Sequence, residues 1–186
     1  MKLYGSFTSP FVRHVRMVLL ETGLPCEFIE TDQAGSAAKS PTKRVPFLED
    51  GETFLTDSSS IIKYLREKAG QEFCKTAKEL DEFCLVNTAL DTTVNLFFIK
   101  RDEVDIQTIP YLQRQAARIE STVAELNQLQ LPVAPPYTDA QLRLACYIGW
   151  CKLRKQVDFT QHTTLENFYS GIQAYPAFQS TQPPQS

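Results

Sequence analysis

The sequence predicts an α/β half followed by an all-helical half, and three observations carry that reading. Short apolar strands alternate with a helix over the first quarter of the chain, and Asp50-Gly51 sits between two short apolar runs, the pattern of a hairpin turn. Beyond Gly70 the strand signals give way to apolar residues at steps of three and four. The composition shift near residue 72 divides the 186 residues into two domains, and 42% hydrophobic residues suffice to bury a core.

Each element has its own local grammar. "KLYG" reads as a strand. Ser9 is a good N-cap, Pro10 suits the first helical position, where a missing N–H costs nothing, and Gly23 and Pro25 stop a helix over Pro10 to Thr22. "CEFIET" is a second strand, with apolar alternation at Cys26 and Phe28, and the polar, small-residue run "DQAGSAAKSPTKR" reads as a loop. "VPFLEDGETFLT" is the hairpin. "DSSSIIKYLREKAG" then sets Ile61, Ile62 and Leu65 on one helical face and Gly70 at its end, which completes the order β-α-β-loop-β-β-α.

In the second half, Leu80, Phe83, Leu90, Val94 and Phe97 mark one long helix, and Ile109, Leu112, Ala116, Ile119, Val123 and Leu126 mark the face of another. "LPVAPPY" is a connector. Thr138 and Gln141 have capping-box spacing, with Tyr137 and Leu142 placed as the accompanying staple, and Thr163 and Glu166 repeat the box. The end, "STQPPQS", reads as a frayed tail.

Charge and composition exclude several classes. With 19 basic against 22 acidic residues, net −3, the chain lacks the positive excess of an extended nucleic-acid surface. The five cysteines are an odd number with neither a CxxC pair nor zinc-finger spacing, and read as reduced thiols, mostly buried as small hydrophobes. "MKLYGSFT" lacks the apolar run of a signal peptide, and no stretch approaches the ~20 apolar residues of a membrane span, so the expected address is the cytoplasm, with no membrane and no nucleic acid as partner. His14 and His162 are the only histidines; with no ligand-spaced partner and no GxSxG elbow, neither a metal site nor a hydrolase triad is read. His14 is placed on the polar or half-buried side of its helix, with Arg13 and Arg16.

Three stretches of the first half carry candidate chemistry. Ser6, Thr8 and Ser9 surround a helix N-terminus, whose N–H groups and dipole make it a natural anion site, although a cap serine is also simply a cap. In "KRVPFL" a proline opens a strand after an irregular loop, a position where the X–Pro bond can be cis. Val45 would then offer its N–H and C=O to a peptide-like ligand, with Lys43 or Arg44 for a carboxylate; the bland alternative is a solvated basic loop. In "TDSSSI", Asp57 and Ser58 are ordinary capping types, or else Asp57 accepts from an ammonium while Ser58 and the helix end hold a carboxylate. The second arrangement reads an α-amino-acid end group.

Taken in order, "SFTSPFVRHVRMVLLETG", "VPFLEDG" and "LTDSSSIIKYL", followed by a helical half, resemble a cytosolic glutathione S-transferase, in particular its serine-type, bacterial-like members. The likeness is strong over Met1 to Gly70 and weaker through "YTDAQLRLACYIGW" and "LENFYSGIQAYPAFQSTQPP". It implies a thioredoxin-like glutathione-binding domain over 1–72, an all-α domain over 78–179, a tail over 180–186, a homodimer, and glutathione as substrate with an unidentified small electrophile and no metal. By the same resemblance Ser9 matches the hydroxyl that hydrogen-bonds the glutathione sulfur, with Thr8 a second candidate. Val45 before Pro46 matches the backbone that pairs with the cysteinyl unit, and Asp57 with Ser58 the pair that holds the γ-glutamyl end. Arg44 stands at a basic position that reaches the glycyl carboxylate in several classes, and Phe11 near the sulfur.

The energetics suit that assignment. A thiol with a pKa near 8.5 is mostly protonated at neutral pH, and lowering it by about two units requires about 2.7 kcal/mol of preference for the anion. A hydrogen bond to a charged group supplies ~1.5–3 kcal/mol and a helix terminus ~0.3–1, so one serine on a helix end is enough.

The chain also departs from the family pattern. Asp57 replaces the more usual Glu, Gln141 stands where the helix-capping motif usually has Asp, and the helical half is short. Two rival functions follow. One is a glutathione-dependent disulfide reductase, although Ser9 stands where that chemistry needs a low-pKa cysteine. The other is a non-enzymatic binding or regulatory protein on the same fold.

Overall fold

The four strands of the first half join into one mixed sheet in the order β2-β1-β3-β4. β1 (Lys2–Gly5) runs parallel to β2 (Glu27–Glu30) and antiparallel to β3 (Phe47–Asp50), which returns through a turn at Gly51 into β4 (Thr53–Leu55). This is a computed structural model; it describes residues 1–184. They fall into two units, Met1–Lys75 with the closing segment from Gln173, and Thr76–Ile172.

In the first unit, period-2 alternation sends successive residues of β1 to opposite faces of the sheet. Leu3 and its cross-strand partner Leu48 join Val15 and Val18 of α1 (Pro10–Thr22) and Ile61, Ile62 and Leu65 of α3 (Ser58–Lys68) in a buried cluster. On the other face Tyr4 stacks on its partner Phe47 at 4.5 Å between ring centroids, and the Tyr4 hydroxyl donates to Glu49. β1 and α1 approach closely at Gly5, where a Cβ would stand 2.6 Å from a methyl of Val12. Only glycine fits there. Gly23 ends α1 in the left-handed conformation, φ 65°, as its sequence position predicts.

Three expectations for this unit, and one that spans both units, are corrected. The polar run after β2 is not all loop: Asp32 accepts from the Gly35 N–H and starts α2 (Gln33–Lys39), too short to show an apolar period. His14 is fully buried and Arg13 almost so, rather than lying on a polar or half-buried side. The closing segment, read as the end of the helical domain and a frayed tail, belongs to this unit; α8 (Pro176–Ser180) packs on α1 and Thr181 is completely buried. The last two tail positions, 185 and 186, lie outside the described residues. The cysteines are not mostly buried either: Cys146 and Cys151 are, Cys26 and Cys74 are half-buried, and Cys84 is exposed.

The second unit is helical throughout: α4 (Ala77–Arg101), a short 3-10 turn (Ile106–Thr108), α5 (Pro110–Leu126), α6 (Asp139–Arg154) and α7 (Thr163–Ile172). α6 is buried almost all round and packs on α4 and α7, while α5 packs on α4. The Thr138–Gln141 box closes in both directions, at 3.3 and 2.9 Å. The α5 stripe is buried at Leu112, Ile119, Val123 and Leu126, whereas Ile109 precedes the helix and is exposed.

The face of α4 is borne out at Phe83 and Leu90, both buried, and differs from the expected one elsewhere. Leu80 is exposed, and Val86, Ala89, Thr92 and Thr93 are buried instead, because threonine can bury by bonding its hydroxyl back into the helix, as Thr93 does to Ala89. The second box does not form, since Thr163 already lies inside α7 and the Glu166 N–H donates to the carbonyl of His162. Among the described residues no helix is long and apolar enough to cross a membrane.

Candidate functional site

Sheet register brings the three predicted stretches to one end of the first unit. Tyr4 pairs with Phe47, so the segment that leaves β1 and the segment that leads into β3 share an end of the sheet. Leu55 pairs with Leu48, so β4 delivers Asp57 and Ser58 toward that same end. Residues far apart in sequence thus converge because antiparallel pairing reverses the chain.

Ser9 is the N-cap of α1, with extended backbone at φ −77° and ψ 126°. Its Oγ accepts from the Val12 N–H at a long 3.4 Å, and its own N–H donates to the Ser6 carbonyl at 3.1 Å. The neighbouring hydroxyls are paired with each other, Ser6 Oγ to Thr8 Oγ1 at 3.1 Å. Phe11, in the first turn, is half-buried.

The Val45-Pro46 peptide bond is cis. Val45 is half-buried and Pro46 buried, while Arg44 is exposed and follows Lys43, whose φ is +54°. The loop before them is tied down by Ser40 Oγ to Thr42 Oγ1 at 2.9 Å and by the Lys43 N–H to the Ser40 carbonyl.

Asp57 caps α3, its Oδ1 accepting from the Ser59 N–H at 2.7 Å, and its second carboxylate oxygen stands at an exposed residue. Ser58, the first residue of α3, is buried. One short cap bond therefore leaves Asp57 with acceptor capacity for an ammonium.

Cys26 stands just before β2 and not at a helix start, and burial pushes its thiol up. A redox nucleophile needs the opposite shift. In the second unit burial likewise raises Cys151 and Tyr147, the latter within hydrogen-bond distance of Thr93 at 3.1 Å.

A cavity of about 600 Å³ lies on the α2 side, lined by residues that include Tyr4, Glu30, Asp32 and Lys39. Of the predicted candidates only Ser6 reaches it. Sequence reading missed this region because α2 was read as loop.

Comparison with known proteins agrees on the family. The glutathione S-transferase N-terminal domain model matches residues 3–73. Glutathione S-transferase Z1 of Arabidopsis thaliana is 27% identical over 206 aligned positions, spanning 98% of this chain and 91% of the relative. The GST-like protein YibF of Escherichia coli is 44% identical over 71 residues, 35% of each chain. Among solved structures, a glutathione S-transferase from Methylobacterium radiotolerans, in complex with glutathione sulfonate, superposes with a TM-score of 0.83 at 23% identity, covering all of this chain and 95% of its own.

Proposed function

The chain belongs to the glutathione S-transferase family, and from that premise we propose that it binds glutathione at the shared sheet end and promotes attack of its thiolate on a small electrophile. The observation that carries the assignment is the state of the Ser9 hydroxyl. It accepts one long cap bond through a lone pair, so its proton remains for a thiolate. Thr8, the second candidate, stands one residue before the cap and shares a hydrogen bond with Ser6 in which either hydroxyl can donate.

In this reading Ser9 stabilises the anion and forms no bond to substrate itself. The thiol proton leaves to solvent, the sulfur forms the new bond to the electrophilic carbon, and the displaced group departs with its electron pair. The half-buried backbone of Val45, ahead of the cis Pro46, pairs with the cysteinyl unit. Asp57 accepts from the γ-glutamyl ammonium, Ser58 and the α3 terminus hold its carboxylate, Arg44 reaches the glycyl carboxylate, and Phe11 flanks the sulfur. The mostly unburied cysteines fit a reducing cytoplasm, and a homodimer is the expected assembly.

Calorimetric titration with glutathione at neutral pH tests the site. Saturable binding by the wild type, weakened by at least about tenfold in Asp57→Ala, supports it, because a hydrogen bond between charged groups contributes ~1.5–3 kcal/mol. Absence of binding by the wild type overturns it.

A further inference from the structure

We propose that Arg13 is a positioning residue for Ser9, held in place by the closing segment of the chain; this rests on the reading of Ser9 as the thiol-stabilising hydroxyl. Arg13 is charged yet only 4% exposed. Its Nη2 donates to the Phe178 carbonyl at 2.9 Å, its Nε lies 3.5 Å from Thr181 Oγ1, and its guanidinium sits 3.7 Å from the centre of the Phe178 ring. Thr181 is polarised to receive it, since its own hydroxyl donates to the Ala177 carbonyl at 2.8 Å. Arg13, Phe178 and Thr181 all belong to the first unit.

The clasp reaches Ser9 through one turn of helix. The Arg13 N–H donates to the Ser9 carbonyl at 3.0 Å, the bond that closes the first turn of α1. Val12, packed over Gly5, fixes the adjacent residue from the sheet side. A second tie holds the other end of α1: the Tyr175 hydroxyl donates to Glu21 at 2.6 Å, and Glu21 also receives Arg66 at 2.6 Å. The helix is therefore held near both of its ends, at Arg13 and at Glu21. A planar guanidinium makes this two-point hold; a lysine keeps the charge without the fork.

The test reads the pKa of bound glutathione from thiolate absorbance near 240 nm across pH, beside kcat and KM. In Arg13→Lys and in Thr181→Val the bound thiol should titrate about one unit higher, with kcat roughly tenfold lower at pH 6.5, KM for glutathione little changed, and turnover recovering at alkaline pH. Thr181→Ser, which retains the hydroxyl, should behave as wild type. In a Ser9→Ala background Arg13→Lys should shift the pKa no further, because the group it positions is gone.

If Ser9→Ala alone leaves the thiol pKa unmoved, the reading of Ser9 fails and the inference falls with it. If Ser9→Ala raises the pKa while Arg13→Lys and Thr181→Val do not, or if the effects add, the positioning role is overturned and Ser9 stands. Circular dichroism of each variant separates these outcomes from unfolding.

Discussion

Two helix starts, one in each unit, are capped by hydroxyl residues with nearly the same φ, −77° at Ser9 and −76° at Thr138, and they differ in what bonds the backbone N–H of the cap and in what surrounds it. Thr138 is closed reciprocally: it accepts from the Gln141 N–H while the Gln141 side chain accepts from its own N–H. At α1 the equivalent third position is Val12, whose side chain has no group to return; the two cap bonds are alike, 3.4 Å at Ser9 and 3.3 Å at Thr138, and the Ser9 N–H donates to the Ser6 carbonyl instead. Each hydroxyl accepts one N–H through a lone pair, so what separates the two starts is where they stand: Ser9 at the end of the sheet shared with Val45 and Asp57, Thr138 in the helical unit. A hydroxyl at a helix start is thus informative about binding through what converges on it, not through its cap bond.

Substitutions sharpen this contrast. Ser9→Ala should lower kcat/KM for glutathione conjugation at neutral pH roughly ten- to hundredfold, the equivalent of ~1.5–3 kcal/mol for a hydrogen bond to an anion, with glutathione affinity by calorimetry little altered. A loss confined to melting temperature would make Ser9 a cap like Thr138. Gly5→Ala pushes a methyl into Val12 beneath that same first turn and should cost about 1–3 kcal/mol in urea unfolding, part of it regained when Val12→Ala is added.

Thr138→Ala should cost about 1 kcal/mol of stability and leave glutathione binding and thiol pKa untouched. An effect on the thiol would break the distinction between the two starts. The smallest effect concerns Asp50, whose carboxyl is held below its usual range by hydrogen bonds from Lys68 at 2.5 Å and Tyr64 at 2.6 Å. A lowered folded pKa stabilises above the unfolded carboxylate range and is lost as pH falls through the folded value. Lys68 is raised by the same bond, so its share is lost as pH rises through the lysine range. The melting temperatures of Asp50→Asn and wild type should therefore differ slightly at neutral pH and converge at both extremes.

Local signals made much of this molecule legible before any coordinates. Pro10 to Thr22, bounded by Ser9 and Gly23, the Asp50-Gly51 hairpin, and the Thr138–Gln141 box are each determined by residues within a few positions, and each forms where the sequence places it. The three candidate stretches were legible as types, but their convergence at one sheet end depends on strand order and register, which no local pattern contains. Arg13 was misread for the same reason. A charged residue on a helix is ordinarily solvated, and its partners here lie 165 and 168 positions away. α2 escaped because its seven residues are held by the Asp32 cap and by Ser36 and Ser40, both buried, rather than by an apolar stripe.

The clasp on Arg13 also has a temporal side. A chain emerging from the ribosome at ~5–20 residues per second delivers Thr181 roughly ten to thirty seconds after Arg13, which is separated from it by 168 positions. Sheet, α1 and α3 are available to one another early, yet the guanidinium must wait in water until the helical unit has been made. The start of α1 is the first helix start to be synthesised and the last to receive all of its neighbours.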